Sequence, residues 1–336
     1  MATNRITSKR GRRRSIAILG TAAILIAAGL PPGGSAGSRP AVRAWTIHYT
    51  AHNGADRLAV VLLPAWYGPD NNPPIPLVIS PHGRNGTGSG NARYWGRLPA
   101  VGRFAVINPD GMGRRLPLKS YAYKGQIDDL AKMPEFAAEY LPWLRIDREQ
   151  IYALGSSMGG HETLMLVARH SSLLAGAVAM DSVTDLRRRY YKLPDVPCDR
   201  SCLKRWGKHY GLVLQEAMRS EVGGTPTTVA RAYAARSPLS NALGIARSGV
   251  PLQIWWSNQD RIVTDQKHQS RAFFRELKRL NPCAPVSAYA GAWEHSKEMK
   301  ADALLPIALA DLGLLPQGLK RLPLSVHHQA RPLCEA

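Results

Sequence analysis

Gln150-Ile151-Tyr152-Ala153-Leu154-Gly155-Ser156-Ser157-Met158-Gly159-Gly160 is a short β-prone run that breaks into a glycine-flanked serine turn. His161-Glu162-Thr163-Leu164-Met165-Leu166-Val167-Ala168-Arg169-His170 follows and has a helical composition. A Gly-x-Ser-x-Gly turn between a strand and a helix has the form of a nucleophile elbow. Such a turn is so tight that only glycine fits at Gly155 and Gly159, two residues either side of Ser157. It lifts the Ser157 hydroxyl above a sheet and aims it at a helix N-terminus, where backbone N–H groups can hold an oxyanion. Alone, a Gly/Ser-rich turn capping a helix would look the same, so the residues downstream carry the distinction.

A serine hydroxyl needs a base to take its proton, and the base needs a third group to orient it. In a sheet of this kind the chain order is Ser, then Asp or Glu, then His. Pro251-Leu252-Gln253-Ile254-Trp255-Trp256 is an apolar strand, and Ser257-Asn258-Gln259-Asp260 leaves its C-terminal end. Asp260 is therefore the expected acid. Asp265 lies further on, where it would cap a helix beginning near Gln266, and Asp181 follows an earlier strand, Gly176–Met180. Pro285–Ala290 is the last strand expected, and His295 lies on the loop after it. His161 and His170 fall on the helix after the elbow, His209 in an insertion, His268 on a helix, and His327 and His328 in the tail. His295 alone has both the order and the loop. The oxyanion donors expected are the backbone N–H of Met158 and one from the Gly83–Arg84 backbone, on the loop after the strand Leu77–Ser80. His82 fits a structural role in that loop.

These residues resemble the α/β-hydrolase superfamily over roughly residues 42–315. The form Gly155 to Gly160, the His82-Gly83 loop and the order Ser157, Asp260, His295 are similar to prolyl oligopeptidase-type catalytic domains. They are also similar to secreted feruloyl-esterase and polyhydroxyalkanoate-depolymerase-like esterases. Asn108-Pro109-Asp110-Gly111-Met112-Gly113 and Asp128-Asp129 have counterparts in both groups. The resemblance implies an α/β fold, a mostly parallel sheet, and a serine hydrolase cleaving esters or short peptides without metal or organic cofactor. Two departures stand out. Prolyl oligopeptidases carry a β-propeller that these 336 residues are too few to hold, and the loop reads His-Gly-Arg rather than His-Gly-Gly.

The formal charge is +20, from 44 Lys and Arg against 24 Asp and Glu. Six of the basic residues lie in the first 37 positions with no acid among them, so the remainder carries +14. Arg5 to Arg14 is a basic stretch, Ile16 to Leu30 an apolar run of 15 residues, and Pro31 to Ala36 a small-residue break. The run is short beside the about 20 residues a spanning helix needs. Residues 1–37 therefore fit a signal peptide, or else an uncleaved anchor, and Arg12-Arg13-Arg14 hints at twin-arginine export. Export to a secreted or envelope location agrees with four cysteines, an even number. Cys198 with Cys202 and Cys283 with Cys334 are the favoured pairs, and a metal site is the weaker alternative.

Arg187-Arg188-Arg189 beside Tyr190 and Tyr191 is the densest basic patch. No nucleic-acid motif accompanies it, so nucleic acid is not expected as a partner. The patch fits a solvated helix face, or attraction to an anionic cell-surface polymer or to acidic substrates. No specific protein partner is indicated.

Strand and helix alternate, which means a mostly parallel sheet covered on both faces. Ser157 to Asp260 spans 103 residues and Asp260 to His295 spans 35, so extra material precedes the acid. The expected organisation is a hydrolase domain over 38–181 and 251–315, a lid or cap over 182–250, and an irregular tail over 316–336. The insertion holds Tyr190, Tyr191, Trp206, Tyr210 and Tyr233, the kind of aromatic surface that shapes a pocket. A protein binding anionic polymer on a retired hydrolase fold is the rival from another class.

Overall fold

The computed structural model describes residues 41–111, 121–332 and 334. The segment read as a signal peptide or anchor lies outside them, as do Met112 and Gly113. No helix among the described residues is long and apolar enough to cross a membrane.

Nine strands form one sheet: β1 Val42–Thr50, β2 Asp56–Pro64, β3 Ile75–Ile79, β4 Ala105–Pro109, β5 Ile146–Ser156, β6 Gly176–Met180, β7 Leu252–Ser257, β8 Val286–Gly291 and β9 His327–Gln329. Their spatial order is β1-β2-β4-β3-β5-β6-β7-β8-β9. β1 and β2 pair antiparallel across a turn at Asn53-Gly54, where Gly54 has φ +76°, open to glycine without strain. From β4 to β8 every pairing is parallel. β6 and β7 are buried along their whole length, as parallel strands covered on both faces must be.

Alternate residues of these strands feed two separate cores. Leu77, Ile79, Ala153, Ile254 and Ala288 point to one face, where the helices Met158–His170 and Ser270–Leu280 bring Leu164, Val167, Phe273 and Leu277. Val78, Leu154, Val178, Trp255 and Tyr289 point to the other, against the helix Leu305–Asp311 and Trp95. This period of two explains why a half-polar helix suffices on either side.

Residues 182–250 fold mainly as helices, the longest Tyr210–Val222. They have their own core, in which Leu186, Leu193, Leu214, Met218 and Tyr233 pack on Tyr121 and Val263. Cys198 is bonded to Cys202, and Cys283 to Cys334.

The tail differs from the expectation of irregular chain. Its residues 327–329 add an antiparallel edge strand to β8. The Cys283–Cys334 bond holds that segment close, and His328 stacks on Tyr289 with ring centroids 4.2 Å apart. His-His-Gln carries no strand signature, so tertiary contacts alone put it there.

Candidate active site

β5 ends at Ser156 and a helix opens at Met158, so Ser157 makes the whole turn. Its backbone sits at φ +59°, ψ −122°, which costs a non-glycine residue about 1–3 kcal/mol. Two backbone bonds hold it there: Ser157 N–H donates to Met180 O at 2.9 Å, and Ser157 O accepts from His161 N–H at 3.0 Å. A Cβ on Gly155 would lie 2.5 Å from the Gly159 carbonyl carbon, and one on Gly159 would lie 2.2 Å from Pro81 O. Glycine is thus required on both sides, because the loop after β3 presses against the elbow. That loop brings Gly83 so close that a Cβ there would touch Ser157 Cβ at 3.7 Å.

Asp260 follows β7 and His295 follows β8, at the same sheet edge as Ser157. His295 Nδ1 donates to Asp260 Oδ2 across 2.8 Å. Asp260 is buried, and its Oδ1 accepts from the Ile262 and Val263 amides at 2.8 Å each. Gln266 Nε2 donates to Oδ2 at 3.1 Å. Burial works to raise the Asp260 pKa, but the bond and charge of His295, with Gln266 and the amides, hold it below the ordinary range. A fixed carboxylate on Nδ1 orients the ring and leaves Nε2 as its basic nitrogen.

The rival acids are otherwise engaged. Asp181 accepts from Ser257 N–H at 2.7 Å and from Trp293 Nε1 at 2.9 Å. Burial, with the nearby Glu298 and Asp260 charges, raises its pKa well above the usual carboxylate range. Asp265 pairs with Arg188 and with His268 Nδ1, and the helix it was expected to cap begins later, at Ser270. Asp181, Asp260 and His295 also bring ligand-type atoms within 4.8 Å of one another. Their bonds to amides, indole and each other make that set a hydrogen-bonded array rather than an open ligand set.

Behind Ser157 and His295 a second array ties their loops together. Ser156 Oγ donates to Glu298 Oε1 at 2.6 Å and lies 3.0 Å from Ser296 Oγ. The residue before Ser157 is thereby joined to the residue after His295. Glu298 is buried, and burial pushes its pKa up to about 7.

Ser157 and His295 open into one cavity of about 400 Å³. Gly83 and Met158 line it, together with Arg189, Tyr210 and Leu214 of residues 182–250. Arg84 also faces it, but its guanidinium turns to Glu221 as a two-pronged pair, with Nη1 to Oε2 at 2.7 Å, and covers the Tyr121 ring. His161 lines the cavity too. It is buried, and its Nε2 donates to Arg236 O at 2.7 Å. Burial pushes its pKa down to about 4, so this second imidazole is neutral and committed to packing.

The family model of the prolyl oligopeptidase family matches residues 118–209, which hold the elbow and the start of the insertion. Among solved structures, the fluorophosphonate-binding serine hydrolase FphF of Staphylococcus aureus aligns with a TM-score of 0.57 at 19% identity, over 81% of this chain and 98% of that one. Staphylococcus aureus S-formylglutathione hydrolase FrmB aligns with a TM-score of 0.53 at 19% identity, over 76% and 93%. Porphyromonas gingivalis dipeptidyl peptidase 4 aligns with a TM-score of 0.58 at 18% identity, over 81% of this chain but only 35% of the peptidase. A search of curated proteins gave no significant match.

The chain is a serine hydrolase of the α/β-hydrolase fold.

In this hydrolase the structure brings Ser157, Asp260, His295, Met158 and the Gly83–Arg84 loop to one place. Three features of the site were not foreseen from sequence. Glu298 and Ser156 clamp the loops, Glu221 holds Arg84, and Arg189 faces the cavity. The last is a correction to the solvated-face reading of Arg187–Arg189. Asp185 caps the helix Leu186–Lys192, and Leu186 and Arg189, three apart, point inward while Arg187 stays exposed. The spacing Leu186, Arg189, Tyr190 was the available signal.

Proposed function

We propose that this protein is an exported hydrolase of ester or short-peptide bonds working through an acyl-enzyme on Ser157. Ser157 Oγ attacks the substrate carbonyl carbon while His295 Nε2 takes the hydroxyl proton. Asp260 orients the ring and stabilises its charged form. The Met158 N–H and the Gly83–Arg84 backbone hold the oxyanion. As the tetrahedral species collapses, His295 gives its proton to the leaving alcohol or amine. Water then repeats the sequence on the acyl-enzyme, releasing the acid and restoring Ser157.

The observation that carries this reading is one cavity shared by a serine in strained elbow geometry and an imidazole already fixed by a buried carboxylate. The partial prolyl oligopeptidase match supports peptide bonds as substrates. The overlay on S-formylglutathione hydrolase, over 93% of that chain, supports esters. The basic, apolar N-terminal sequence and the two disulfides support export. The basic surface suits an anionic cell-surface polymer.

Short p-nitrophenyl esters and short peptide p-nitroanilides, assayed side by side, test the reaction class. Hydrolysis of at least one series is expected, with a loss of roughly 10³-fold or more in Ser157→Ala. Full activity in that variant would remove Ser157 from the mechanism. Hydrolysis of neither series would favour polymer binding on a hydrolase fold.

A further inference from the structure

Among the described residues, three arginines, Arg84, Arg93 and Arg189, and no acidic residue line the cavity over Ser157. Arg84 is neutralised by Glu221. Arg93 stands exposed, where water solvates it. Arg189 is different. It is 5% exposed, and among the described residues its backbone N–H donates to Asp185 O while its guanidinium makes no hydrogen bond and no ion pair. The carboxylate whose charge acts on it, Asp260, is already filled by His295, Gln266 and two amides.

Burying an unpaired charge is costly, and folded chains avoid it unless something else meets that charge. Here Arg189 lines the catalytic cavity. Its fork of N–H donors matches the two oxygens of a carboxylate. Tyr210 lines the same cavity. Its Oη accepts from Asn85 Nδ2 at 3.2 Å, leaving its own O–H to donate. Val183, Leu214, Ile262 and Val263 supply apolar walls that suit a short methylene spacer.

We propose that Arg189 is the specificity residue of the pocket and that the substrate carries a carboxylate which docks on it. The inference rests on the acyl-enzyme reading above and names its substrate class: an ester or amide with a carboxylate a few atoms from the cleaved carbonyl. One unpaired guanidinium meets one negative charge, so the substrate loses no net pairing when it leaves water.

The test compares matched pairs of esters. On the acyl side the pair is p-nitrophenyl hydrogen glutarate against p-nitrophenyl pentanoate. On the leaving-group side it is 3-carboxyphenyl acetate against phenyl acetate. Wild-type enzyme is expected to favour the charged member of one pair by about tenfold to a hundredfold in kcat/KM, the range for a hydrogen bond to a charged group. Arg189→Met should abolish that ratio, and Arg189→Lys should keep part of it. Comparing wild type with variants cancels the intrinsic reactivity of each ester.

Melting temperature gives the second reading. Methionine fills a similar volume without an unpaired charge, so the Arg189→Met protein should melt no lower than wild type. No preference in wild type, or a preference that survives Arg189→Met, would overturn the inference. If Arg189→Met does not fold, a reduced preference in Arg189→Lys supports it, and full retention there overturns it. Failure of wild type to cleave any of the four esters would instead count against the acyl-enzyme reading itself.

Discussion

His295 Nδ1 and Asp260 Oδ2 are 2.8 Å apart, joined across 35 residues by two loops that leave adjacent parallel strands. Replacing the acid by its amide keeps the shape and removes the charge. An Asp260→Asn variant can also present N–H to the ring and so favour the wrong tautomer. We expect kcat to fall roughly 10³- to 10⁴-fold with little change in KM. Steady-state kinetics on a p-nitrophenyl ester checks this, and a loss below tenfold would remove Asp260 from the relay.

Arg84 and Glu221 form a buried two-pronged pair across 137 residues, tying the loop after β3 to the helix Tyr210–Val222. Removing one partner leaves the other charge stranded. Glu221→Ala should destabilise the protein by about 3–5 kcal/mol, read from denaturant midpoints. Because Gly83 precedes Arg84 and packs on Ser157, kcat should fall as well. Stability within 1 kcal/mol of wild type would show that water enters to solvate Arg84.

Glu298 gives a pH dependence whose sign is fixed by its environment. Its pKa is about 7 in the fold, raised by burial from 4.5. Between those values the folded protein keeps a proton that the unfolded chain loses. Stability from this group is therefore full below about pH 4.5 and is lost as pH rises to about 7. Glu298→Gln imitates the protonated acid, so its stability relative to wild type should rise from pH 5 to pH 8. Asp181, whose carboxyl the Glu298 charge helps to raise, shifts with it, so the comparison reads that pair. Glu162, raised to about 8, and His161, lowered to about 4, remain in both proteins and cancel. A constant difference across that range would contradict the assignment.

Much of the fold was legible because its signals are local. The apolar runs of β3 to β8 and the glycines around Ser157 each declare themselves within a few residues. The order of Ser157, Asp260 and His295 followed from counting strands. What stayed hidden depends on contacts between distant residues. Ser156 meets Glu298 across 142 positions, and nothing near either residue marks the other. His327–Gln329 becomes a strand only because β8 offers an edge and a disulfide holds the tail beside it. Arg189 looked like part of a solvated triplet, and only the packing of Leu186 turned it inward.

The most direct test of the central claim is labelling of the folded, disulfide-intact protein with a fluorophosphonate, followed by peptide mass mapping. One adduct is expected, on Ser157, and none in Ser157→Ala. An adduct on a different serine, or no adduct on native protein that cleaves esters, would contradict it.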